Sequence, residues 1–318
     1  MTNSPKSAEN GSTYARFTVR MAWQLAAPHT WPASIMSTLC AVAFAATSTD
    51  TLSLSLCLTL LVICVLMQSS VNTFNDYFDY VKGSDSAQDN VDPTDAVLVY
   101  NNVNPRCALA LAVGMLGAAF LLGIYAILVA GWIPLAIAAV GAAIVVLYSG
   151  GKTPISYLPI GEAVSGIVMG GLIPLACYHV LTLQFEPLVL IWSVPVIIGI
   201  GLIMLTNNTC DVEKDIEANR STLSVKIGRT RARKLYHALV VTWIVAITAI
   251  VALWFAHGIV LVPFMLLAAY PFLKALLANP LEAKTRIAAM SQICTVNVVL
   301  GAFYAACVLG SSAITLTW

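Results

Sequence analysis

The sequence contains very few charged side chains. Only 10% of its 318 residues are Asp, Glu, Lys or Arg, whereas 59% are hydrophobic. A soluble domain carries roughly 25% charged residues, so sixteen basic and fifteen acidic side chains are too few to cover a soluble protein of this length. This scarcity excludes a soluble globular enzyme, a disordered chain and a secreted disulfide scaffold. It predicts a polytopic helical membrane protein, and a net charge of +1 gives no reason to expect nucleic-acid binding.

Sequence signals of several other functions are also missing. The eight cysteines include no Cys-x-x-Cys pair, and most of them lie inside apolar runs, where cysteine acts as a small packing residue. The four histidines lack the spacing of metal ligands. The stretch up to Gly11 is polar and does not have the usual shape of a cleavable signal peptide. The function must therefore be sought in the few charged residues and in where they lie.

Long apolar runs dominate the rest of the chain. A helix needs roughly 20 apolar residues to cross a bilayer, and long continuous runs favour helices over a β-barrel. We predict an all-α fold with a cytoplasmic segment over residues 1–26 and a single domain of nine transmembrane helices over residues 27–313. The predicted spans are residues 27–47, 52–80, 107–129, 133–148, 161–182, 187–208, 235–255, 259–277 and 288–313.

The basic residues predict the orientation of these spans. If the N-terminus is cytoplasmic, all sixteen Lys and Arg residues fall on the cytoplasmic side, as the positive-inside rule requires. Among Asp, Glu, Lys and Arg residues, the loops on the opposite side contain only Asp50 and Glu186. A different number of spans would place basic residues on both sides of the membrane, so the asymmetry also supports nine spans. We therefore predict a multi-pass plasma-membrane protein with an external C-terminus.

The acidic residues form two clusters, at the ends of the second and sixth predicted spans. Asn72 and Asp76 are four residues apart, and so are Asn207 and Asp211. Residues at this spacing share one face of a helix. The recurrence of Asn-x-x-x-Asp in both halves of the chain suggests two related halves that face each other. Together the clusters provide four carboxylates, those of Asp76, Asp79, Asp211 and Asp215.

Carboxylates stacked on one helical face repel one another unless a cation joins them. Their hard oxygen atoms suit Mg²⁺, which proteins usually hold with a few carboxylates together with substrate phosphates. Two such faces across a cavity would hold a diphosphate through bridging Mg²⁺, on the cytoplasmic side. The basic residues near enough in sequence to neutralise its remaining charge are Lys82, Lys152, Arg220 and Lys226.

Three separate motifs carry a resemblance to a known family. Residues 75–85, which read Asn-Asp-Tyr-Phe-Asp and then Lys-Gly-Ser-Asp after two further residues, resemble the first aspartate motif of the UbiA-type intramembrane prenyltransferases. Residues 207–228 are similar to the second motif, and residues 148–162 resemble the cytoplasmic segment between the two. The branch that the chain most resembles prenylates 1,4-dihydroxy-2-naphthoate in menaquinone synthesis.

The resemblance implies nine helices around a central cavity, capped by cytoplasmic loops. It implies transfer of a polyprenyl group from polyprenyl diphosphate to an aromatic quinone precursor, within membrane lipid. Lys152 would lie beside the diphosphate, Tyr148 would face the reactive end of the prenyl chain, and Asp85 matches the outlying aspartate of the first motif. The residues that would bind two Mg²⁺ ions are Asp76, Asp79, Asp211 and Asp215, assisted by Asn72, Asn75 and Asn207.

One segment departs from the family pattern. Residues 83–105 contain no Lys or Arg, although relatives carry a basic residue in this loop. The loop therefore offers no cation for a carboxylated acceptor, and transfer to another aromatic acceptor, such as a 4-hydroxybenzoate-like one, stays an alternative.

Two alternatives from other classes also stay open. A secondary transporter would use the carboxylates for ions or protons, but such groups lie near the bilayer midplane, and no predicted span has a charge at its centre. The CDP-alcohol phosphotransferases also use Asp-x-x-x-Asp, but the Asp-Gly-x-x-Ala-Arg element that they require is absent from this sequence.

Overall fold

A computed structural model describes residues 14–83, 97–312 and 315–318, apart from the side chains of Lys82 and Ser149, and most of these residues are helical. The α-helices in chain order are α1 (Val19–Leu25), α2 (Pro32–Ala46), α3 (Leu54–Lys82), α4 (Val97–Asn101), α5 (Pro105–Ala130), α6 (Trp132–Ser149), α7 (Gly161–Ile167), α8 (Ile173–Thr182), α9 (Leu188–Trp192), α10 (Val194–Cys210), α11 (Val212–Glu217), α12 (Leu223–Ile227), α13 (Arg229–Trp254), α14 (Val262–Ala278) and α15 (Arg286–Leu309). A π-helical turn, Val168–Leu172, joins α7 to α8, and 3₁₀ turns occupy Pro28–Thr30, Ile155–Tyr157, Ala256–Leu261 and Ala283–Thr285.

Six helical segments within the described residues are long and apolar enough to cross a membrane. Three further apolar helices, α2, α6 and α10, are shorter, with 15 to 18 residues. Each predicted span overlaps one of these nine segments, but nine crossings stay a prediction. Large apolar side chains on the outer surface are strongly exposed, including Leu128 at 79% and Leu267 at 75%, as expected for a surface that faces lipid. The six long segments are Leu54–Val81, Pro105–Ala130, Gly161–Thr182, Arg229–Trp254, Ala256–Ala278 and Ala283–Leu309.

Local sequence explains where the helices that carry the site begin and end. The Ser53 side chain accepts a hydrogen bond from the backbone of Leu56 at 3.3 Å and so caps α3. Gly83 ends α3 with a φ of 69°, a left-handed conformation that glycine adopts without strain. Pro105 begins α5 because its missing N–H costs nothing in the first turn of a helix. The first acidic cluster therefore lies in the last turns of α3.

Close packing around α10 positions the second acidic cluster. The π-helical turn lies directly against α10, and a Cβ added at Gly170 would come within 2.6 Å of the Ile197 Cα. Small residues at such crossings allow helix backbones to approach closely inside a membrane. On its other side, α10 packs against α13 and α15, where Gly199 faces the Trp243 ring. The end of α10, where Asp211 follows, is therefore fixed by three neighbouring elements.

Two short strands depart from the predicted all-α fold. Strand β1 (Thr51–Ser53) pairs in parallel with β2 (Thr315–Thr317), with Thr51 opposite Thr315. Segments of three residues are too short for the alternating pattern that predicts a strand, so the sequence analysis missed them. The pairing places the C-terminal residues beside the loop that joins α2 to α3.

Candidate active site

The helices enclose a cavity of about 420 Å³. Its walls come from α1, α2, α3, α5, α6, α7, α8, α10, α11 and α15 and are mostly apolar. Along α3 the lining runs from Leu60 to Asp79. Leu60 lies sixteen residues before Asp76, which corresponds to about 24 Å along an α-helix. The cavity is therefore long, with an apolar interior and a charged end.

The structure brings both acidic clusters to that charged end. The second cluster reaches the cavity from α10 and α11, opposite the first cluster on α3. All four predicted carboxylates line the cavity, and so do the three predicted amide side chains, Asn72, Asn75 and Asn207.

Arg220 links the two clusters. Its Nη2 donates to Asp79 Oδ1 at 2.8 Å, and its Nη1 lies 3.8 Å from Asp215 Oδ1. The guanidinium also stacks on the Tyr157 ring, 4.7 Å from the ring centroid. Burial lowers the pKa of Arg220, but the neighbouring Asp79, Tyr157 and Asp215 outweigh burial and raise the pKa above its ordinary value. Arg220 is therefore a fixed positive charge between the carboxylates.

Arg286, the first residue of α15, makes a matching contact with the second cluster. Its Nε donates to Asp211 Oδ2 at 3.0 Å, and its Nη2 donates to Asn207 Oδ1 at 2.7 Å. The sequence analysis counted Arg286 only among the basic residues that predict membrane orientation. It did not assign Arg286 to the site, because the residue lies 75 residues from Asp211 and in no recognisable motif. Lys214 also lines the cavity, and sequence reasoning missed it although it lies between Asp211 and Asp215 in the second motif.

Asp215 is the most buried of the four carboxylates, at 3% exposure. The Thr222 hydroxyl donates to its Oδ2 at 3.0 Å. Burial raises the pKa of Asp215 to about 6, although Arg220 and the Thr222 hydrogen bond lower it. Because burial disfavours the charged form of Asp215, a further positive charge nearby would stabilise the ionised carboxylate.

The first cluster is tied to two neighbouring segments. Asp76 Oδ2 accepts a hydrogen bond at 3.1 Å from the backbone N–H of Val97, the first residue of α4. Asn72 Nδ2 donates to the Thr30 hydroxyl at 2.8 Å. Leu25 of α1 packs with Val97 in one apolar cluster. The end of α3 is therefore held by α1, by the turn at Pro28–Thr30 and by α4.

The remaining predicted residues lie in different places. Tyr148 lines the cavity and is buried, and its hydroxyl has no hydrogen-bond partner among the described residues. Lys152 and Lys226 are exposed and do not line the described part of the cavity. The side chain of Lys82 and the whole of Asp85 lie outside the described residues. The roles assigned to these residues stay predictions.

The donor chemistry of the charged end fits Mg²⁺, because the available atoms are carboxylate and amide oxygens. Within the described residues, no three His, Cys, Asp or Glu side chains are grouped closely enough to hold a metal ion. Instead, Arg220 and Arg286 pair with Asp79 and Asp211. The positive charge that these carboxylates need comes from guanidinium groups in this structure.

Long apolar helices that enclose an apolar cavity with a charged end are typical of intramembrane enzymes that act on lipid-like substrates with charged head groups. Residues 34–299 match the family model described as the UbiA prenyltransferase family. The chain belongs to this family and is an integral membrane prenyltransferase. The family assignment decides against the transporter and the CDP-alcohol phosphotransferase.

Two relatives indicate the branch of the family. The chain is 32% identical over 232 residues to the 1,4-dihydroxy-2-naphthoate octaprenyltransferase of Bacillus subtilis (strain 168), covering 73% of this chain and 71% of the relative. It is 28% identical over 214 residues to the protein of the same name from Mycobacterium tuberculosis, covering 66% of this chain and 72% of the relative.

Solved structures confirm the fold. A UbiA homolog from Archaeoglobus fulgidus, bound to GPP and Mg²⁺, superposes with a TM-score of 0.65 at 14% identity, covering 91% of this chain and 99% of the homolog. An apo UbiA homolog from Aeropyrum pernix K1 gives a TM-score of 0.57 at 16% identity, covering 86% of this chain and 96% of the homolog.

Proposed function

We propose that this protein transfers a polyprenyl group from polyprenyl diphosphate to 1,4-dihydroxy-2-naphthoate and so produces a demethylmenaquinol, which becomes a demethylmenaquinone only after a separate two-electron oxidation. The observation that carries the proposal is the 32% identity to a 1,4-dihydroxy-2-naphthoate octaprenyltransferase over 73% of the chain. The cavity supports it, because a long apolar interior suits a prenyl chain and a charged end suits a diphosphate. A 4-hydroxybenzoate-like acceptor is the alternative within the same reaction class.

The diphosphate is the leaving group, so its charge must be neutralised as the allylic C–O bond breaks. Mg²⁺ bound by the carboxylates of Asp76, Asp79, Asp211 and Asp215 would supply most of this neutralisation. Arg220 adds a fixed guanidinium at the same place. A bound Mg²⁺ in an Archaeoglobus fulgidus homolog of the same fold supports the use of this cation.

The prenyl group needs protection once its bond to oxygen weakens. The bonding electron pair leaves with the diphosphate, and an allylic cation develops at the prenyl C1. The apolar cavity wall excludes water that would trap this cation, and the buried Tyr148 ring offers its negative face.

The acceptor ring then forms a carbon–carbon bond to the prenyl C1. The ring carbon that carries the carboxylate reacts, and the bond to that carboxylate breaks, so that carbon dioxide leaves. The electron pair of that bond restores the aromatic ring. The carboxylate therefore departs in place of a ring proton.

We further propose nine crossings in a single domain over residues 27–313, after a segment over residues 1–26. The N-terminus and the active site would face the cytoplasm at the plasma membrane. The pairing of Thr51–Ser53 with Thr315–Thr317 supports this topology, because eight predicted spans separate the two strands. An even number of crossings returns the chain to the same side of the membrane.

The test is a transfer assay with purified protein, Mg²⁺, a polyprenyl diphosphate and either 1,4-dihydroxy-2-naphthoate or 4-hydroxybenzoate. Asp76→Ala and Asp211→Ala each remove a proposed metal ligand and are expected to abolish transfer while the protein still folds. Asp50→Ala, at an exposed carboxylate in the α2–α3 loop, serves as the matched control. Substantial activity in either variant, or turnover in EDTA, would contradict the metal assignment. Transfer to 4-hydroxybenzoate alone would replace the proposed acceptor.

A further inference from the structure

A second groove adjoins the main cavity. It has a volume of about 670 Å³ and lies between the N-terminal segment and α15, with Trp23, Pro32 and Ile287 in its walls. Three polar side chains lie where the two spaces meet. The residues that line both of them are Gln24, His29, Arg286 and Met290.

Arg286 is the permanent positive charge at this junction. Its side chain is only 13% exposed, and its bonds to Asp211 and Asn207 fix the plane of the guanidinium. The planar fork of N–H groups on arginine matches a carboxylate in geometry as well as in charge. A carboxylate removed from water requires such a partner.

Two other cations line the described part of the cavity, and both lie elsewhere along its wall. Lys214 and Arg220 belong to the segment around α11, and Arg220 is held between Asp79 and Asp215. Neither of them lines the second groove. Arg286 therefore differs from these two in facing both spaces.

The position next to Asp211 agrees with the geometry of the reaction. An acceptor ring must reach the prenyl C1, which is bonded to the diphosphate, so an acidic group on that ring must also end near the carboxylates. Residues 83–105, which follow the first acidic cluster, contain no Lys or Arg. Arg286 is a cation that lies at this position from a different part of the chain.

We propose that Arg286 binds the carboxylate of the aromatic acceptor at the junction of the cavity and the groove, and so selects acidic acceptors. This assignment rests on the proposed function. It makes Arg286 a substrate-binding residue for the acceptor, whereas Arg220 serves the diphosphate.

A binding experiment without turnover tests the assignment. The full-length protein in detergent, with Mg²⁺ but without prenyl diphosphate, is titrated with 1-hydroxy-2-naphthoate and, separately, with 1-naphthol, which lacks the carboxylate. Naphthalene fluorescence reports binding, with protein-free micelles as the blank. Arg286→Gln is expected to weaken the affinity for the acid by about ten- to a hundred-fold, the effect of losing a charge-assisted hydrogen bond. Its affinity for 1-naphthol should stay within about two-fold, which also shows that the site is folded.

Two further variants complete the design. Arg286→Lys keeps the charge but loses the fork, so its affinity for the acid should be intermediate. Arg231→Gln removes an exposed arginine of α13 and should change neither affinity. In transfer assays, Arg286→Gln should raise the KM for 1,4-dihydroxy-2-naphthoate with little change in the KM for the prenyl diphosphate.

The outcomes separate this inference from the proposed function. If the wild-type protein prefers the acid and Arg286→Gln binds it equally well, the assignment of Arg286 is wrong. An equal loss of affinity for both ligands, or a rise only in the KM for the prenyl diphosphate, also overturns it. If the wild-type protein does not prefer the acid and transfers prenyl groups to an acceptor without a carboxylate, the proposed acceptor is wrong instead.

Discussion

Arginines from distant parts of the chain balance the carboxylates of the active site. Arg220 lies 141 residues from Asp79, and Arg286 lies 75 residues from Asp211. Each pair joins elements that the fold brings together, and each offsets repulsion that clustered carboxylates would otherwise cause. The same carboxylate oxygens are the proposed ligands of Mg²⁺. We expect metal binding to rearrange these ion pairs, which would leave Arg220 beside the diphosphate and Arg286 beside the carboxylate of the acceptor.

The contacts of Arg220 lead to a prediction about diphosphate binding. Arg220→Gln removes the fixed charge between Asp79 and Asp215, and we expect kcat/KM for the prenyl diphosphate to fall by about ten- to a hundred-fold. Arg220→Lys should retain part of the activity, because it keeps a charge but loses the fork and the stacking on Tyr157. Steady-state kinetics at saturating acceptor, with Arg231→Gln as the control, measure this. An unchanged kcat/KM in Arg220→Gln would refute the role.

At the scale of elements, the apolar runs predicted much of the fold, and the spacing of the acidic residues predicted part of the site. Long apolar stretches must form helices in lipid because their backbone groups have no other partners, so all nine predicted ranges contain a helix. The i,i+4 spacing drew attention to Asp76, which lies on α3, and to Asp211, which directly follows α10, and both line one cavity. Lys152 and Lys226 were chosen for their nearness in sequence, and both side chains are exposed. Arg286 reaches the site only through the packing of α15 beside α10, which no local pattern encodes.

The contact between the π-helical turn and α10 predicts a sharp packing requirement at Gly170. Any Cβ at this position meets backbone atoms of Ile197 within 2.6 Å, and backbone cannot move aside as a flexible side chain can. Gly170→Ala should therefore destabilise the protein by about 1–3 kcal/mol, the usual cost of overpacking. Thermal unfolding in detergent measures the change.

Gly114→Ala on α5 is the matched control for Gly170→Ala. A Cβ added at Gly114 meets nothing within 4 Å, and alanine favours a helix by about 1 kcal/mol over glycine. The two variants should thus shift the unfolding temperature in opposite directions. Equal unfolding temperatures in both variants would mean that the backbone of α10 shifts at little cost to accommodate the added Cβ at position 170.

At the scale of the whole molecule, the cavity combines two requirements of the proposed reaction. One end assembles charges from α3, α10, α11 and α15, while the apolar interior continues between α3 and α5. Buried residues on several helices pack together at the far end. This group consists of Ala41, Leu56, Leu60, Cys64, Ala126, Cys177 and Val180. We expect the distance between the charges and this group to set how much prenyl chain the cavity can accommodate.

Gly123 on α5 offers a direct test of this relation. It lines the cavity, and a Cβ added there meets nothing within 4 Å, so Gly123→Leu should project into the cavity without straining the helix. We expect turnover of a long polyprenyl diphosphate to fall by about fifteen- to sixty-fold relative to geranyl diphosphate, because displacing two or three methylene groups costs about 0.8 kcal/mol each. Gly117→Leu is the control on the same helix, at an exposed position outside the cavity lining that also has no atom within 4 Å of an added Cβ. Competition assays with both diphosphates measure the ratio of products. If Gly123→Leu and Gly117→Leu give the same ratio as the wild-type protein, the prenyl chain does not pass along α5, and its path through the molecule lies elsewhere.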